Sequence, residues 1–202
     1  ITPKIVKKTK FNIKKFIYKV ELGNMDNVNV CKELVITIYN NMDASHDYQH
    51  IERVYKNAET ILQSEPQADV QIVRLAVLLH DVSDAKYTQT KEAEERILQK
   101  LDLTDEQRQH IRDIIASVSF NGGNELQAKT IEAKIVRDAD RLDAIGAVGI
   151  ARTFAYGGAK GRKLYDDAEE ARAQMSVEEY RTKSTASVTH FYEKLLLLKD
   201  LM

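Results

Sequence analysis

Apolar residues recur at intervals of three and four along most of this chain, which is the spacing of one face of an α-helix. The clearest case is the segment 51–62, with apolar side chains at positions 51, 54, 55, 58, 61 and 62. Side chains of a β-strand alternate between two faces with a period of two, so a strand does not produce this spacing. A second stripe of the same kind lies between Val28 and Tyr39. The periodicity therefore predicts a chain built from helices.

Turn-forming residues are scarce, which agrees with long helices. The 202 residues include 8 glycines and 2 prolines, and seven of the glycines lie between Gly122 and Gly161. An all-β sandwich or barrel needs many turns, so this composition argues against one. We expect a single all-α domain, with irregular backbone concentrated around 121–124 and 156–162.

Capping signals and apolar periodicity place the individual helices. Asp69 stands where the N-cap of an apolar helix ending at Leu79 is expected, and Thr104 followed by Gln107 reads as a capping box. The helix that ends at Leu79 is apolar on nearly all sides, which predicts that it is buried. Further helices are expected at about 88–101, 104–118, 127–153 and 176–199.

The charge distribution divides the chain into a basic leading segment and an acidic remainder. Residues 1–20 carry seven of the 30 Lys and Arg residues and no acid, which leaves 23 basic against 31 acidic residues, or −8, for the rest. A nucleic-acid groove needs a basic surface on the folded domain, so we expect no nucleic-acid partner. The helical pattern starts soon after Met25. Residues 1–24 are therefore expected to be a basic extension or an added leader, and 25–202 the domain.

An alternative for the leading segment stays open. Ile13, Phe16, Ile17 and Val20 lie at helical spacing opposite the lysines, which is typical of a helix that binds a membrane surface. The longest apolar runs elsewhere are too short to cross a bilayer, so we expect no membrane partner for the domain. The single cysteine, Cys31, and the lack of a signal-peptide pattern predict a cytoplasmic protein.

Imidazoles and carboxylates stand beside apolar helix faces in three separate segments. His50 lies on the inner face of the 51–62 stripe, and the adjacent His80 and Asp81 follow the apolar helix. Asp140 and Asp143 are three residues apart and can project together from a later helix. Two neutral imidazoles and two carboxylates suit a first-row divalent ion that keeps positions open for water and a phosphate oxygen. A histidine that bonds to a backbone carbonyl is the alternative.

The order of these residues resembles the H, HD, D pattern of the HD superfamily of metal-dependent phosphohydrolases. The stretches that carry the resemblance are SHDYQHIERV at 45–54, LLHDVSDAK at 78–86, DADRLDAIG at 138–146 and YGGAKGR at 156–162. They look closest to the small stand-alone bacterial HD proteins, over about residues 26–202. The resemblance implies an HD-domain helical bundle that holds manganese, magnesium, cobalt, nickel or iron. The implied ligands are His50, His80, Asp81 and Asp140.

The resemblance also implies a reaction on nucleotides or other phosphorylated small molecules. We expect a nucleoside triphosphate pyrophosphohydrolase or a nucleotide phosphatase that uses a metal-activated water. Ser83-Asp84 stands where guanosine tetraphosphate hydrolases carry Glu-Asp, which disfavours that substrate. The Gly-Tyr-Pro signature of the cyclic-dinucleotide branch is absent from the chain, and few histidines are left for a second ion. One metal ion is therefore expected.

Residues near the implied ligands receive accessory roles. Asp84 is predicted to take a proton from the attacking water and Lys86 to neutralise a phosphate, both as catalytic residues. Four cations are predicted to bind the substrate phosphates: Arg53, Arg141, Lys160 and Arg162. Ion pairs with Glu52 and Asp138 are the alternative for the two arginines beside the ligands, and a bare turn for the glycine-rich stretch. His46 and Asp143 are predicted to support the ligands, with His46 as a ligand being the alternative.

Two other functions stay open at this point. A metal- and nucleotide-binding bundle could act as a sensing module without turnover. A helical scaffold with a membrane anchor would require residues 1–24 to be native. Cys31 has no recognisable base partner, so no covalent nucleophile is expected. The sequence leaves the oligomeric state undecided, and a homodimer is one option.

Overall fold

The computed structural model describes residues 26–43, 46–84, 90–124 and 126–202, which contain nine α-helices and two further helical turns. These described residues contain no β-strand, so the all-α prediction is confirmed. The helices are α1 (Asn27–Tyr39), α2 (Tyr48–Leu62), α3 (Val70–Leu79), α4 (Glu92–Leu98), α5 (Asp105–Val118), α6 (Ile131–Asp143), α7 (Gly146–Ala159), α8 (Val177–Thr182) and α9 (Ser187–His190). A π-helical turn, Phe191–Leu195, and a 3-10 turn, Leu198–Leu201, follow.

The central helix is α3, and its composition explains its position. Seven of its ten residues are buried, and α1, α2, α5 and α6 pack around it. Burying a Leu, Ile or Val side chain stabilises a fold by about 1.5–3 kcal/mol relative to leaving it exposed, so the buried apolar side chains of this helix hold it in the core. The fold therefore carries the residues that follow Leu79 into the interior.

Helix starts follow the capping signals of the sequence. Asp69 caps α3, and Thr104 with Gln107 forms the predicted capping box at the start of α5. Asp47 caps α2, because its Oδ1 accepts a hydrogen bond of 3.2 Å from the backbone N–H of His50. This cap places His50 in the first turn of α2.

The prediction of one continuous helix over 127–153 is wrong, because the segment forms α6 and α7 with a break at Ala144 and Ile145. Gly146 adopts a φ of +67°, which favours glycine, and a Cβ on Gly149 would lie 2.1 Å from the Ala144 carbonyl oxygen. The chain can turn between the two helices because both positions lack a side chain.

The prediction of one helix over 176–199 is also wrong, because the chain is extended between α8 and α9. Ser187 and Val188 donate their backbone N–H groups to the carbonyls of Lys163 and Leu164, at 3.0 and 2.9 Å. These hydrogen bonds come from a distant segment, so local periodicity does not reveal them.

Three further expectations meet the structure in different ways. The helix expected at 88–101 is shorter, since α4 covers only part of that range. The backbone of 156–159, expected to be irregular, forms the last turn of α7. Residues 1–24 lie outside the described residues, so their roles as a leader or a membrane-binding helix stay predictions. In the part of the chain that the structure describes, no helix is both long and apolar enough to cross a membrane.

Two fully buried side chains of α1 pack beneath the central helix. Burial raises the pKa of the Cys31 thiol to about 12, so it stays protonated at neutral pH and is a poor nucleophile.

The Tyr39 hydroxyl donates a hydrogen bond of 3.0 Å to the carbonyl of Leu78. That carbonyl belongs to the last turn of α3, where carbonyls lack helical partners. Tyr39 therefore satisfies the end of the helix.

Replacing Tyr39 with phenylalanine removes this hydrogen bond and retains the packing of the ring. We expect the free energy of unfolding to fall by about 1–2 kcal/mol, because the Leu78 carbonyl loses its donor in the interior. Urea unfolding followed by circular dichroism measures the change. Tyr192 is 60% exposed, and Tyr192→Phe is expected to change stability by less than about 0.5 kcal/mol. Equal effects of the two substitutions would contradict the assigned role of Tyr39.

Candidate metal centre

The His50 side chain is completely buried, and one ring nitrogen is fixed by a carboxylate. Its Nδ1 lies 2.7 Å from Oδ2 of Asp143, which is the last residue of α6. An ionised carboxylate only accepts hydrogen bonds, so Nδ1 is the donor and Nε2 is the nitrogen left for another partner. This Nε2 is buried and has no hydrogen-bond partner. His50 therefore presents a ring nitrogen without a hydrogen-bond partner to the interior.

The His80-Asp81 doublet follows the last residue of α3 and is almost as deeply buried. The His80 Nδ1 lies 2.8 Å from the carbonyl oxygen of Val77, so Nδ1 is again the donor. The Nε2 of His80 is buried and also lacks a hydrogen-bond partner. His80 and Asp81 are each 6% exposed. The central helix thus brings a second imidazole nitrogen, with an adjacent carboxylate, to the same place.

The two Nε2 atoms face the same two carboxylates. The His50 Nε2 is 3.4 Å from Oδ2 of Asp81 and 3.4 Å from Oδ1 of Asp140, and both distances are 3.6 Å for the His80 Nε2. One ligand atom each from His50, His80 and Asp140 lies within 4.8 Å of the others. An ion with ligand bonds of about 2.1 Å separates neighbouring ligand atoms by about 3.0–3.4 Å. The donor set and its spacing therefore fit a divalent metal ion.

The electrostatics of this cluster also favour a cation. Burial lowers the pKa of His80, but the charges of Asp81 and Asp140 outweigh it and raise that pKa to about 9. For the carboxyls of Asp81 and Asp140, burial acts in the opposite direction and raises the pKa. The two imidazoles more than offset this effect, so both pKa values lie below their usual range. The cluster therefore attracts a proton onto His80 when no metal competes for the site.

Asp143, which holds His50, is itself held by two arginines. Arg53 donates from Nε to Oδ1 at 2.6 Å and from Nη2 to Oδ2 at 3.2 Å. Arg152 of α7 donates from Nη1 to Oδ2 at 2.8 Å. Burial raises the pKa of Asp143, but these partners and His50 keep it below its usual range. Arg53 therefore forms its ion pair with Asp143, whereas the sequence suggests Glu52 or Asp138 as the acid.

Three of the predicted accessory residues lie in a row that starts at the metal centre. The ring centroid of His46 is 6.0 Å from that of His50 and 5.9 Å from that of Tyr156. The cations of Lys160 and Arg162 lie 5.6 and 5.2 Å from the centroid of the Tyr156 ring. A series of ring and cation contacts therefore connects His50 to the C-terminal end of α7.

Other predicted residues are placed differently. Arg141 is buried and donates from Nη1 to the carbonyl of Leu201, so its side chain contacts the C-terminal turn. Asp84 closes the turn after the doublet, with its backbone N–H 3.2 Å from the carbonyl of Asp81. Lys86 lies outside the described residues. The phosphate-binding and proton-transfer roles of Asp84, Lys86 and Arg141 stay predictions.

No site role is predicted from the sequence for Arg152 or Tyr156, although Tyr156 begins the stretch 156–162 and both residues bring α7 to the metal centre. Arg152 is the only charged residue in this helix, GAVGIARTFAYGGA, and a lone charge among small and apolar residues signals a specific partner. Tyr156 gives no comparable signal, because a tyrosine at helical spacing is most often part of an apolar face. The partner of Arg152 lies on another helix, so the sequence alone does not identify it.

The chain matches known proteins of one family. Residues 47–145 match the family model described as HD domain. The chain is 38% identical over 174 residues to the protein YpgQ of Bacillus subtilis, which covers 83% of this chain and 77% of YpgQ. The chain therefore belongs to the HD superfamily. The predicted family is confirmed.

Solved structures show the same fold. A Lactobacillus plantarum protein superposes with a TM-score of 0.81 at 33% identity, covering 87% of this chain and 84% of that protein. YpgQ in complex with ADP gives a TM-score of 0.65 at 34% identity, over 87% of this chain and 80% of YpgQ. An HD-superfamily hydrolase from Bacillus thuringiensis gives 0.61 at 39% identity, with 87% and 81% covered.

We predict that Mn²⁺ binds more tightly as the pH rises toward about 9, the pKa to which His80 is raised. Below that pH His80 is protonated, and a protonated imidazole has no lone pair for a metal. Apparent affinity should therefore fall by up to about tenfold for each pH unit below it. Calorimetric titration in two buffers of different ionisation enthalpy measures both the affinity and the proton released. An affinity that does not change between about pH 6 and 8 would contradict coordination by His80.

Proposed function

We propose that this chain is a divalent metal-dependent phosphohydrolase that acts on nucleotides. The observation that carries the proposal is the pair of buried Nε2 atoms of His50 and His80, which lack hydrogen-bond partners and face two carboxylates within 3.6 Å. Buried polar atoms in purely structural positions are usually paired. Manganese, cobalt, nickel, iron and magnesium are the candidate ions, and imidazole ligands favour the transition metals.

The charge balance of the centre supports an anionic substrate. Three carboxylates and two guanidiniums surround the imidazoles, namely Asp81, Asp140, Asp143, Arg53 and Arg152. With both imidazoles neutral, as metal ligands must be, these five groups sum to −1, and a divalent ion brings the total to +1. Lys160 and Arg162 add two positive charges beside the Tyr156 ring. A polyphosphate is the kind of ligand that such an arrangement attracts.

The proposed reaction is direct hydrolysis of a phosphoanhydride or phosphate ester. When bound, the ion supplies a Lewis acid for a phosphoryl oxygen and lowers the pKa of the attacking water. Asp84 would accept the proton from that water, and Lys86 would neutralise charge on the reacting phosphate. Lys160 and Arg162 would hold the phosphates that leave. No side chain forms a covalent bond to phosphorus in this scheme.

Nucleotides are the proposed substrate class because the relative YpgQ has been solved in complex with ADP. The resemblance of the four sequence stretches to small bacterial HD proteins agrees with this choice. Within that class we propose pyrophosphate release from a nucleoside triphosphate, and release of a single phosphate is the alternative.

Turnover of nucleoside mono-, di- and triphosphates with Mn²⁺, Mg²⁺ or Co²⁺ tests the proposal. We expect metal-dependent release of pyrophosphate or phosphate from a nucleotide. Asp81→Asn should lower the rate by at least about a hundredfold, because the amide removes a charged metal ligand. Asp102 lies in the exposed loop between α4 and α5, and Asp102→Asn is the matched control with an unchanged rate.

Two outcomes would redirect the proposal. Metal and nucleotide that bind without any product would favour the sensing module. Equal rates for the Asp81 and Asp102 variants would show that the reaction does not use this centre.

A further inference from the structure

The helix α7 has little buried surface of its own to hold it against the domain. Of its 14 residues, only Gly149 and Gly157 are buried, while Val148 and Ile150 are 42% and 48% exposed. The helix also has one aromatic contact, in which the ring centroid of Phe154 lies 6.1 Å from that of Phe191 in the C-terminal turn. Specific side-chain contacts must therefore determine much of the position of α7.

Arg152 makes such a contact, and it is directed at the metal centre. Its side chain is 15% exposed, and Nη1 donates to Oδ2 of Asp143 at 2.8 Å and to the Asp143 carbonyl at 3.3 Å. The same Oδ2 accepts the Nδ1 proton of His50. One carboxylate oxygen thus joins α7 to an imidazole of the metal centre.

Charge balance alone does not require Arg152 at this position. Arg53 already donates to both oxygens of Asp143, so one guanidinium neutralises the carboxylate. Arg53 belongs to α2, the same helix as His50, and contributes nothing to the position of α7. What Arg152 adds is a connection from α7 to α6 and α2.

The face of α7 that carries Arg152 continues toward the phosphate-binding cations. Arg152 and Tyr156 are four residues apart, so they lie on successive turns of one face, and Lys160 follows as the C-cap of the helix. Tyr156 contacts His46, and the cations of Lys160 and Arg162 lie against the Tyr156 ring. A shift of α7 would therefore move both cations relative to the metal centre.

We propose that Arg152 is a positioning residue that sets the place of α7, and hence of Lys160 and Arg162, relative to the metal centre. In this proposal Arg152 acts through its bonds to Asp143. The phosphate ligand in this inference rests on the proposed function, whereas the link from Arg152 to His50 rests on the hydrogen bonds alone.

Binding of pyrophosphate to the full chain loaded with Mn²⁺ tests this role without requiring turnover. Calorimetry would compare the wild type with Arg152→Met, Asp143→Asn and the double variant. We expect Arg152→Met to weaken pyrophosphate binding by about tenfold, within the range that supporting residues of metal sites show. In the Asp143→Asn background the same substitution should add less than about twofold, because Arg152 acts through that carboxylate.

Arg112 provides the matched control for loss of an arginine. It bonds to both carboxylate oxygens of Glu95, joining α5 to α4, and is 29% exposed. Arg112→Met should leave pyrophosphate affinity within about twofold of the wild type. Arg152→Lys retains the charge and one donor nitrogen, so it should recover part of the pyrophosphate affinity that Arg152→Met loses. It also provides the comparison if Arg152→Met does not fold.

Pyrophosphate affinity of Arg152→Met equal to that of the wild type would overturn the proposal. The proposal would also be overturned if the losses of pyrophosphate affinity caused by the Arg152 and Asp143 substitutions multiply in the double variant. Independent losses would indicate that Arg152 acts through its charge over a distance and not through Asp143. Absence of pyrophosphate binding to the Mn²⁺-loaded wild type would also overturn it. A wild type that binds pyrophosphate but hydrolyses no nucleotide, with weakened binding in Arg152→Met, would sustain the positioning role and reject the proposed hydrolysis.

Discussion

Helices α2, α6 and α7 meet at the buried carboxylate of Asp143, which accepts hydrogen bonds from His50, Arg53 and Arg152. A buried carboxylate is costly unless its oxygens are paired, so separating any of these helices carries an electrostatic penalty. The bond to His50 also fixes which ring nitrogen carries the proton. The packing of the helices and the chemistry of the metal centre therefore depend on the same group.

The other half of the centre depends on the apolar helix α3. Its burial brings His80 and Asp81 to the interior, and the Tyr39 hydroxyl satisfies the backbone one turn before them. The two imidazoles thus reach the site in different ways, one through a polar network and one through apolar packing. In both, Nδ1 forms a hydrogen bond and Nε2 has no hydrogen-bond partner. This shared state is what makes the centre suited to a metal ion rather than to a structural hydrogen bond.

Local patterns predicted the features that depend on short-range interactions. The all-α class, the cap at Asp69 and the capping box at Thr104 all follow from residues within one turn of each other. The break before α9 was not predicted, because it depends on tertiary hydrogen bonds from Ser187 and Val188 to the carbonyls of Lys163 and Leu164. The break before α7 depends on Gly146 and Gly149, and the apolar periodicity that continues across it concealed their local signal. At the site, the motif order indicated which histidines and aspartates belong together. The bond between His50 and Asp143 joins residues 93 apart, and such pairings, like that of Arg152, are not visible in local periodicity.

The central claim is that the Nε2 atoms of His50 and His80 share one metal ion with Asp81 and Asp140. Anomalous X-ray diffraction from crystals soaked in Mn²⁺, recorded at the manganese absorption edge, tests it most directly. The account predicts one strong peak within about 2.3 Å of both Nε2 atoms and of an oxygen from each aspartate. A protein that binds Mn²⁺ elsewhere, or a difference map without a peak between these four side chains, would contradict it.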